Sequence, residues 1–330
     1  MTLGILVDAS CDLPTSIYER YQVNILPATL MVNQQLIIDA RDPETTQRFY
    51  RSTSAQQLAS ARPDSATVGA LIDALKASLL YRYDQLLIVT PHLKLSNTLP
   101  RVRETVFQIQ PQFEPLRLAA QLTHPYKVRI LESNSGYAGY GLVLYEALRL
   151  IKERARSVDQ LKQPLDDFKS SLVTYVLPGH ERFNYELLAN PPFNLSWLSL
   201  QKLKLTTSLP VFKIDFKGAN YYENIPSGNA ERAFLHFAYQ QLMGTRLSSH
   251  LVNISFAGNL AKLRVLPMVK TLQKYVISQG GKLVYSMMSL SSAAQLGKGA
   301  LSLSFAAAEQ LPGDTGRRPL LSRPTIYAVR

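Results

Sequence analysis

Cysteine is almost absent. Cys11 stands alone in 330 residues, which excludes an intramolecular disulfide and a cysteine metal cluster and fits a reducing cytoplasm. Histidine is scarce. The five present, His92, His124, His180, His236 and His250, show neither HxxxH nor HxH spacing, so each reads as a surface or core residue rather than a metal ligand. Long apolar runs are missing as well. The longest candidate, Ala300 to Ala308, is broken by Ser302 and Ser304 and falls short of the roughly 18 residues a membrane helix needs. The opening MTLGILVDAS lacks a basic stretch followed by a long apolar one, so no signal peptide is expected. GxGxxG, Walker A and GxSxG do not occur, and Gly297-Lys298-Gly299 is too short to cradle a nucleotide by itself. Dinucleotide and P-loop sites and an α/β-hydrolase nucleophile elbow therefore have no support. Asp and Glu number 24 against 36 Lys and Arg, a net charge of +12. The basic residues are spread along the chain, which reads first as a solvated surface. If that charge has a partner, an anionic membrane or an acidic protein fits better than nucleic acid, because no basic, aromatic-interleaved motif occurs.

What is present is a recurring order of strand, polar turn and helix. Leu3 to Val7 (LGILV) is a short apolar run ending in Asp8-Ala-Ser10-Cys-Asp12-Leu-Pro14. Gln85 to Val89 (QLLIV) runs into Leu93 to Val102 (LKLSNTLPRV), and Val128 to Leu131 into Glu132-Ser133 and a glycine-containing helix start. Ser60-Ala-Arg62-Pro63-Asp64 is a further polar loop, feeding a helix from about Ala66 to Tyr81 whose apolar residues recur at helical spacing. Short uninterrupted apolar runs between helices predict buried parallel strands, hence an α/β fold with helices on both faces of the sheet and all these turns on one edge. With 330 residues two domains are expected: an N-terminal α/β domain at 1–157, a C-terminal α/β domain with a mixed or antiparallel sheet at 158–310, and a tail at 311–330. In the second half, Leu203 to Leu205 reads as a strand, Leu260 to Ser278 as one helix, and Gln295 to Gly299 as a glycine turn before a last strand.

Ligands of open α/β sheets bind at strand carboxyl ends, and a helix N-terminus there favours an anion. Ser10, Ser60, Ser96, Thr98, Ser133 and Ser135 occupy the polar turns. Singly, each reads as a helix cap; together on one sheet edge, they suit a carboxylate or phosphate head. No strong acid or base adjoins them in sequence, which favours binding over catalysis. A serine hydrolase or acyltransferase with Ser96 as nucleophile and His92 as base is one rival. A protein-interaction module with a degenerate pocket is another.

The order of these turns resembles the DegV family of bacterial fatty-acid-binding proteins. The family's VTDSTADLP-like opening is similar to Val7-Asp8-Ala9-Ser10-Cys11-Asp12-Leu13-Pro14, and its TSQPS loop to Ser60-Ala61-Arg62-Pro63-Asp64. Its SxLSGTYQSA segment resembles Leu93 to Val102, and its DSKxxSxGxG segment Glu132 to Gly141. IKPIL is similar to Thr207-Ser208-Leu209-Pro210-Val211, and the last HTGPGALG turn to Gln295 through Ser302. The resemblance covers about residues 3 to 305. It implies two α/β domains with a long-chain fatty acid in a tunnel between them and no other cofactor. It also implies a carrier role, which in family members presents the carboxylate to a separate fatty-acid kinase subunit. Ser60 and Ser96 take the positions of the family's carboxylate-holding hydroxyls, with Asn97 and Thr98 flanking the second. Gln295 stands where the family has histidine; Lys298 or Arg62 is expected to supply positive charge. Gly179-His180-Glu181-Arg182 replaces the family's GGR, and Ser208 the lysine of its IKP.

Overall fold

The computed structural model describes residues 2–64, 68–153, 157–179, 186–189, 191–206 and 208–308. The first half builds a four-stranded sheet from β1 (Leu3–Asp8), β2 (Asn24–Leu26), β6 (Gln85–Thr90) and β7 (Lys127–Glu132), in the order β2-β1-β6-β7. Every pairing in it is parallel. β6 is buried along its whole length and β1 at all but its first residue, as expected for strands covered by helices on both faces. The order reverses between β1 and β6: the chain leaves β1 toward β2 on one side and returns to β6 on the other.

Between them lie β3 (Ala28–Val32), β4 (Gln35–Asp39) and β5 (Arg62–Asp64), a separate antiparallel sheet in the order β4-β3-β5. Asn33 and Gln34 join β3 to β4 with φ of 49° and 64°, the positive values a two-residue hairpin turn demands. This corrects one expectation. The Ser60 loop does not follow a strand of the parallel sheet. Ser60 ends a short helix, Ala55–Ala59, and runs into β5, which pairs with β3.

The second half forms a six-stranded sheet from β8 (Leu172–Leu177), β9 (Ser208–Asp215), β10 (Gly218–Pro226), β11 (Leu251–Phe256), β12 (Lys282–Met287) and β13 (Leu301–Ala306). Its order is β10-β9-β8-β13-β11-β12. Only β11 and β12 run parallel, so the sheet is mixed, as expected. Leu203–Leu205 is helical rather than extended. Ser196 caps a helix Trp197–Leu205 by accepting the Ser199 N–H, and Leu200 and Leu203 bury one face at helical spacing. The single helix expected over 260–278 breaks into Leu260–Arg264 and Pro267–Ser278, because a proline disfavours helical backbone in the residue before it. Gln295 belongs to a helix, Leu290–Leu296, capped by Ser289. His180 to Arg182 and the tail at 311–330 lie outside the described residues. No helix among the described residues is long and apolar enough to cross a membrane.

The halves share packed cores. Leu30, Phe49, Tyr50 and Tyr137 from the first half cluster with Val176, Phe193, Phe212 and Met288 from the second. The helix Tyr137–Glu153 lies close against the second sheet. Glycine allows that approach: a Cβ on Gly139 would stand 2.1 Å from Thr174 Oγ1; one on Gly141 would stand 2.1 Å from the Asp12 carbonyl, on the turn after β1.

Candidate ligand-binding site

The carboxyl ends of β1 and β6 flank the point where strand order reverses, the place where open α/β sheets leave a crevice. A cavity of about 370 Å³ occupies it. Asp8 and Ser10 wall it from the turn after β1, and Lys94, Ser96, Asn97 and Arg101 from the stretch after β6. Pro191, Pro192, Ser291, Ser292 and Gln295 close it from the second half, and Gly136 and Tyr137 from the turn after β7.

Ser96 precedes helix Thr98–Ile109. Its Oγ accepts the Thr98 N–H at 3.2 Å and lies 2.9 Å from Thr98 Oγ1. Thr98 is buried, and its hydroxyl donates to Asp8 Oδ2 at 2.8 Å. Ser10 gives Asp8 Oδ1 two further bonds, from N–H at 3.0 Å and Oγ–H at 2.6 Å. Burial pushes the Asp8 carboxyl above its ordinary range, against the Ser10 and Thr98 hydrogen bonds that lower it. Gln295 bridges the halves. Its Oε1 accepts the Tyr137 hydroxyl at 2.7 Å and its Nε2 donates to the Leu95 carbonyl at 3.0 Å. A primary amide has two N–H groups, so Nε2 keeps a second donor. Burial lifts the Tyr137 hydroxyl well above its usual value, which keeps it a neutral donor.

The residues singled out in sequence divide here. Ser96, Asn97 and Gln295 meet on the cavity wall, and Thr98 stands behind Ser96. Ser60 does not reach it. Its side chain is exposed and donates to the Gln57 carbonyl at 2.8 Å, as a helix C-terminus dictates. Lys298 donates to the Thr53 carbonyl at 3.1 Å, away from the cavity wall. The Arg62 side chain lies outside the described residues. Among the described residues, Lys94 and Arg101 bring positive charge to the wall, on either side of Ser96 in sequence. Sequence reasoning passed over Tyr137 too. Its φ of 52° is uncommon for a bulky residue, and no sequence pattern announces it. His92 does not serve Ser96. Its Nε2 faces the Phe216 carbonyl at 3.2 Å, and its Nδ1 lies 3.0 Å from Glu132 Oε1 and 3.2 Å from the Lys94 N–H. The base that the hydrolase rival requires is therefore turned elsewhere.

The family comparison decides the relationship: the DegV sequence model, described as an uncharacterised protein family, matches residues 2–180. The chain belongs to the DegV family. A DegV domain-containing protein of Xanthomonas axonopodis pv. citri is 26% identical over 314 residues, covering 93% of this chain and 98% of that relative. A DegV lipid-binding protein from Thermotoga maritima has the same fold, with a TM-score of 0.70 at 16% identity, over 94% of this chain and all of that one. The fatty acid kinase B3 protein of Streptococcus pneumoniae, solved loaded with linoleic acid, superposes with a TM-score of 0.68 at 14% identity over 93% of this chain. As a DegV protein, this chain shares its fold with the lipid-binding Thermotoga maritima protein and the linoleic-acid-loaded Streptococcus pneumoniae protein.

Proposed function

We propose that this DegV protein is a non-catalytic carrier. It holds one long-chain fatty acid between residues 1–157 and 158–310 and presents the carboxylate to a fatty-acid kinase subunit. The observation that carries this reading is the cavity at the β1–β6 reversal, where Ser96, Asn97 and Gln295 line one wall with Lys94 and Arg101. Hydroxyl and amide donors suit an anionic head, and the nearby cations favour one. The neighbour described as lipid-binding and the fatty acid kinase B3 protein loaded with linoleic acid support the rest. At about 370 Å³ the cavity lies toward the small end of the roughly 300–1,000 Å³ typical of ligand sites. Burying a methylene gains about 0.8 kcal/mol, so a 16-carbon tail supplies most of the affinity and the head group needs only positioning. Ser96 is the main donor, Asn97 and Gln295 assist, and Thr98 supports Ser96 from behind. No metal or organic cofactor is required. The division of the chain is supported by the sheets themselves: the parallel sheet ends at Glu132 and the mixed sheet starts at Leu172. The +12 charge supports collection of ligand at an anionic membrane, a contact that weakens with added salt.

Denaturing mass spectrometry of an organic extract of the purified protein tests the reading. One fatty acid at near-equimolar amount is expected. An extract without acyl lipid, repeated after incubation with free fatty acids, overturns it. Turnover of an acyl ester that vanishes in Ser96→Ala would instead establish the hydrolase.

A further inference from the structure

Asp8 is an acid inside a site read as holding another acid. It lines the cavity and is 6% exposed. A carboxylate has no proton to give, so the 2.8 Å contact with Thr98 fixes the direction of that bond: Thr98 donates. Thr98 Oγ1 is then an acceptor toward Ser96, 2.9 Å away. In the empty site the chain of hydroxyls runs from Ser96 through Thr98 into Asp8. The Ser96 proton is thereby drawn away from the cavity.

A fatty-acid carboxylate set against Ser96 brings a second negative charge into the same enclosed space. Two such carboxylates do not both stay ionised at little cost; the pair retains one proton. Other charged and titratable groups surround Asp8. Lys94 and Arg101 share its cavity wall, the first exposed and the second partly so, and water screens both. The Tyr140 hydroxyl accepts the Asp8 N–H at 3.3 Å. Asp39 raises the Asp8 pKa in the same direction as burial. Asp12 is paired with Arg41, and the Cys11 thiol, pushed up by burial, stays neutral.

We propose that Asp8 takes up one proton from solvent when an acyl carboxylate binds, and that this reverses the Asp8–Thr98–Ser96 chain so that Ser96 donates to the ligand. With Oδ2 protonated, Asp8 donates to Thr98 and Thr98 to Ser96. The two lone pairs of Ser96 then take the Thr98 N–H and O–H, and its own proton points into the cavity. One proton enters from water, one hydrogen-bond chain changes direction, and nothing is oxidised or transferred. The two Ser10 bonds to Oδ1 are undisturbed. Asp8 is a positioning residue, acting on the ligand through Thr98 and Ser96. The inference rests on the carrier reading and adds a linkage to it: binding weakens as pH rises.

Calorimetric titration of the delipidated protein with palmitate, in buffers of different ionisation enthalpy, counts the protons. About one proton per palmitate is expected at pH 8, with affinity falling about tenfold per pH unit between the pKa of Asp8 in the free protein and that of the carboxylate pair in the complex. Asp8→Asn is expected to keep palmitate binding but lose both the proton uptake and the pH dependence. The Ser10 N–H holds the amide oxygen in place, and the amide N–H₂ then donates to Thr98 as the protonated acid would. Ser10→Ala provides a second reading if Asp8→Asn folds poorly. It removes a bond that stabilises ionised Asp8, so the pH at which affinity declines moves upward. Palmitate binding by the wild type without proton uptake overturns the inference and leaves the carrier standing, as does equal uptake by Asp8→Asn. Absence of palmitate binding at every pH overturns the carrier reading itself.

Discussion

Asp8 and Asp12 lie four residues apart on the same turn, both buried, yet they do opposite things. Asp12 is fully enclosed by the protein. Its Oδ1 accepts from Arg41 at 3.1 Å and from the Ser289 N–H at 2.8 Å, and its Oδ2 from Ser255 at 2.6 Å. Arg41 extends the network to the Met287 carbonyl at 2.8 Å. Four residues thus pin the turn after β1 onto β11, the end of β12 and the helix that carries Gln295. Asp8 is held by Ser10 and Thr98 and opens onto the cavity. The same residue type serves as a staple where a guanidinium neutralises it and as part of a site where two hydroxyls and a backbone N–H meet it. A buried carboxylate with a cation partner is ionised at neutral pH and serves structure; one that opens onto a cavity is placed to exchange a proton with a ligand.

Removing the cation from the staple is the most damaging test. Arg41→Ala strands Asp12 as a buried, uncompensated charge and is expected to cost about 3–5 kcal/mol in urea unfolding. A loss below about 1 kcal/mol would erase the contrast between the two aspartates. The staple also has a pH signature. Burial lifts the Asp12 pKa to about 6, against the opposing pull of Arg41. A folded-state value above the ordinary value of about 3.9 favours the folded protein most in acid. That contribution is complete below about pH 4 and is lost as pH rises toward 6, at up to about 1.4 kcal/mol per unit. Asp12→Asn is expected to flatten this part of the stability curve, read from urea midpoints between pH 4 and 7.

On the cavity side the effects fall on ligand affinity. Ser96→Ala removes a donor to a charged head, and a loss of about 1.5–3 kcal/mol in palmitate binding is expected with little change in thermal midpoint. An unchanged affinity would move the head group away from Ser96. Tyr137→Phe takes away the hydroxyl that holds Gln295 and is expected to cost about 1 kcal/mol, seen as a small drop in affinity. Ser60→Ala and Lys298→Ala are expected to shift affinity by less than about 0.5 kcal/mol, because neither side chain reaches the cavity. A tenfold loss in either would mean that the ligand-bound protein closes further than this structure does.

The parallel sheet and its ligand edge were legible because LGILV and Leu86 to Val89 (LLIV) carry no polar side chain, the pattern of a doubly covered strand. Ser96 was legible for the same reason: a hydroxyl turn between such a strand and a helix has few other places to be. The positive charge on the cavity wall was not legible from the matched turns: the Lys298 amine donates to the Thr53 carbonyl, whereas Lys94 and Arg101, from the stretch around Ser96, line the cavity. Ser60 stands away from the cavity because its loop serves a small antiparallel sheet; its polar residues read the same in sequence whichever sheet they border. Leu203 to Leu205 misled because a three-residue apolar–polar–apolar run is too short to separate strand from helix. Tyr137 was invisible, since its role rests on an unusual backbone angle and a contact with Gln295, which is 158 residues away.

The most direct test of the central claim is a crystal structure of the protein with palmitate. The carboxylate is expected about 3 Å from Ser96 Oγ, with the acyl chain running between the two sheets. Palmitate bound with its carboxylate away from Ser96, or an empty cleft at saturating ligand, would contradict it.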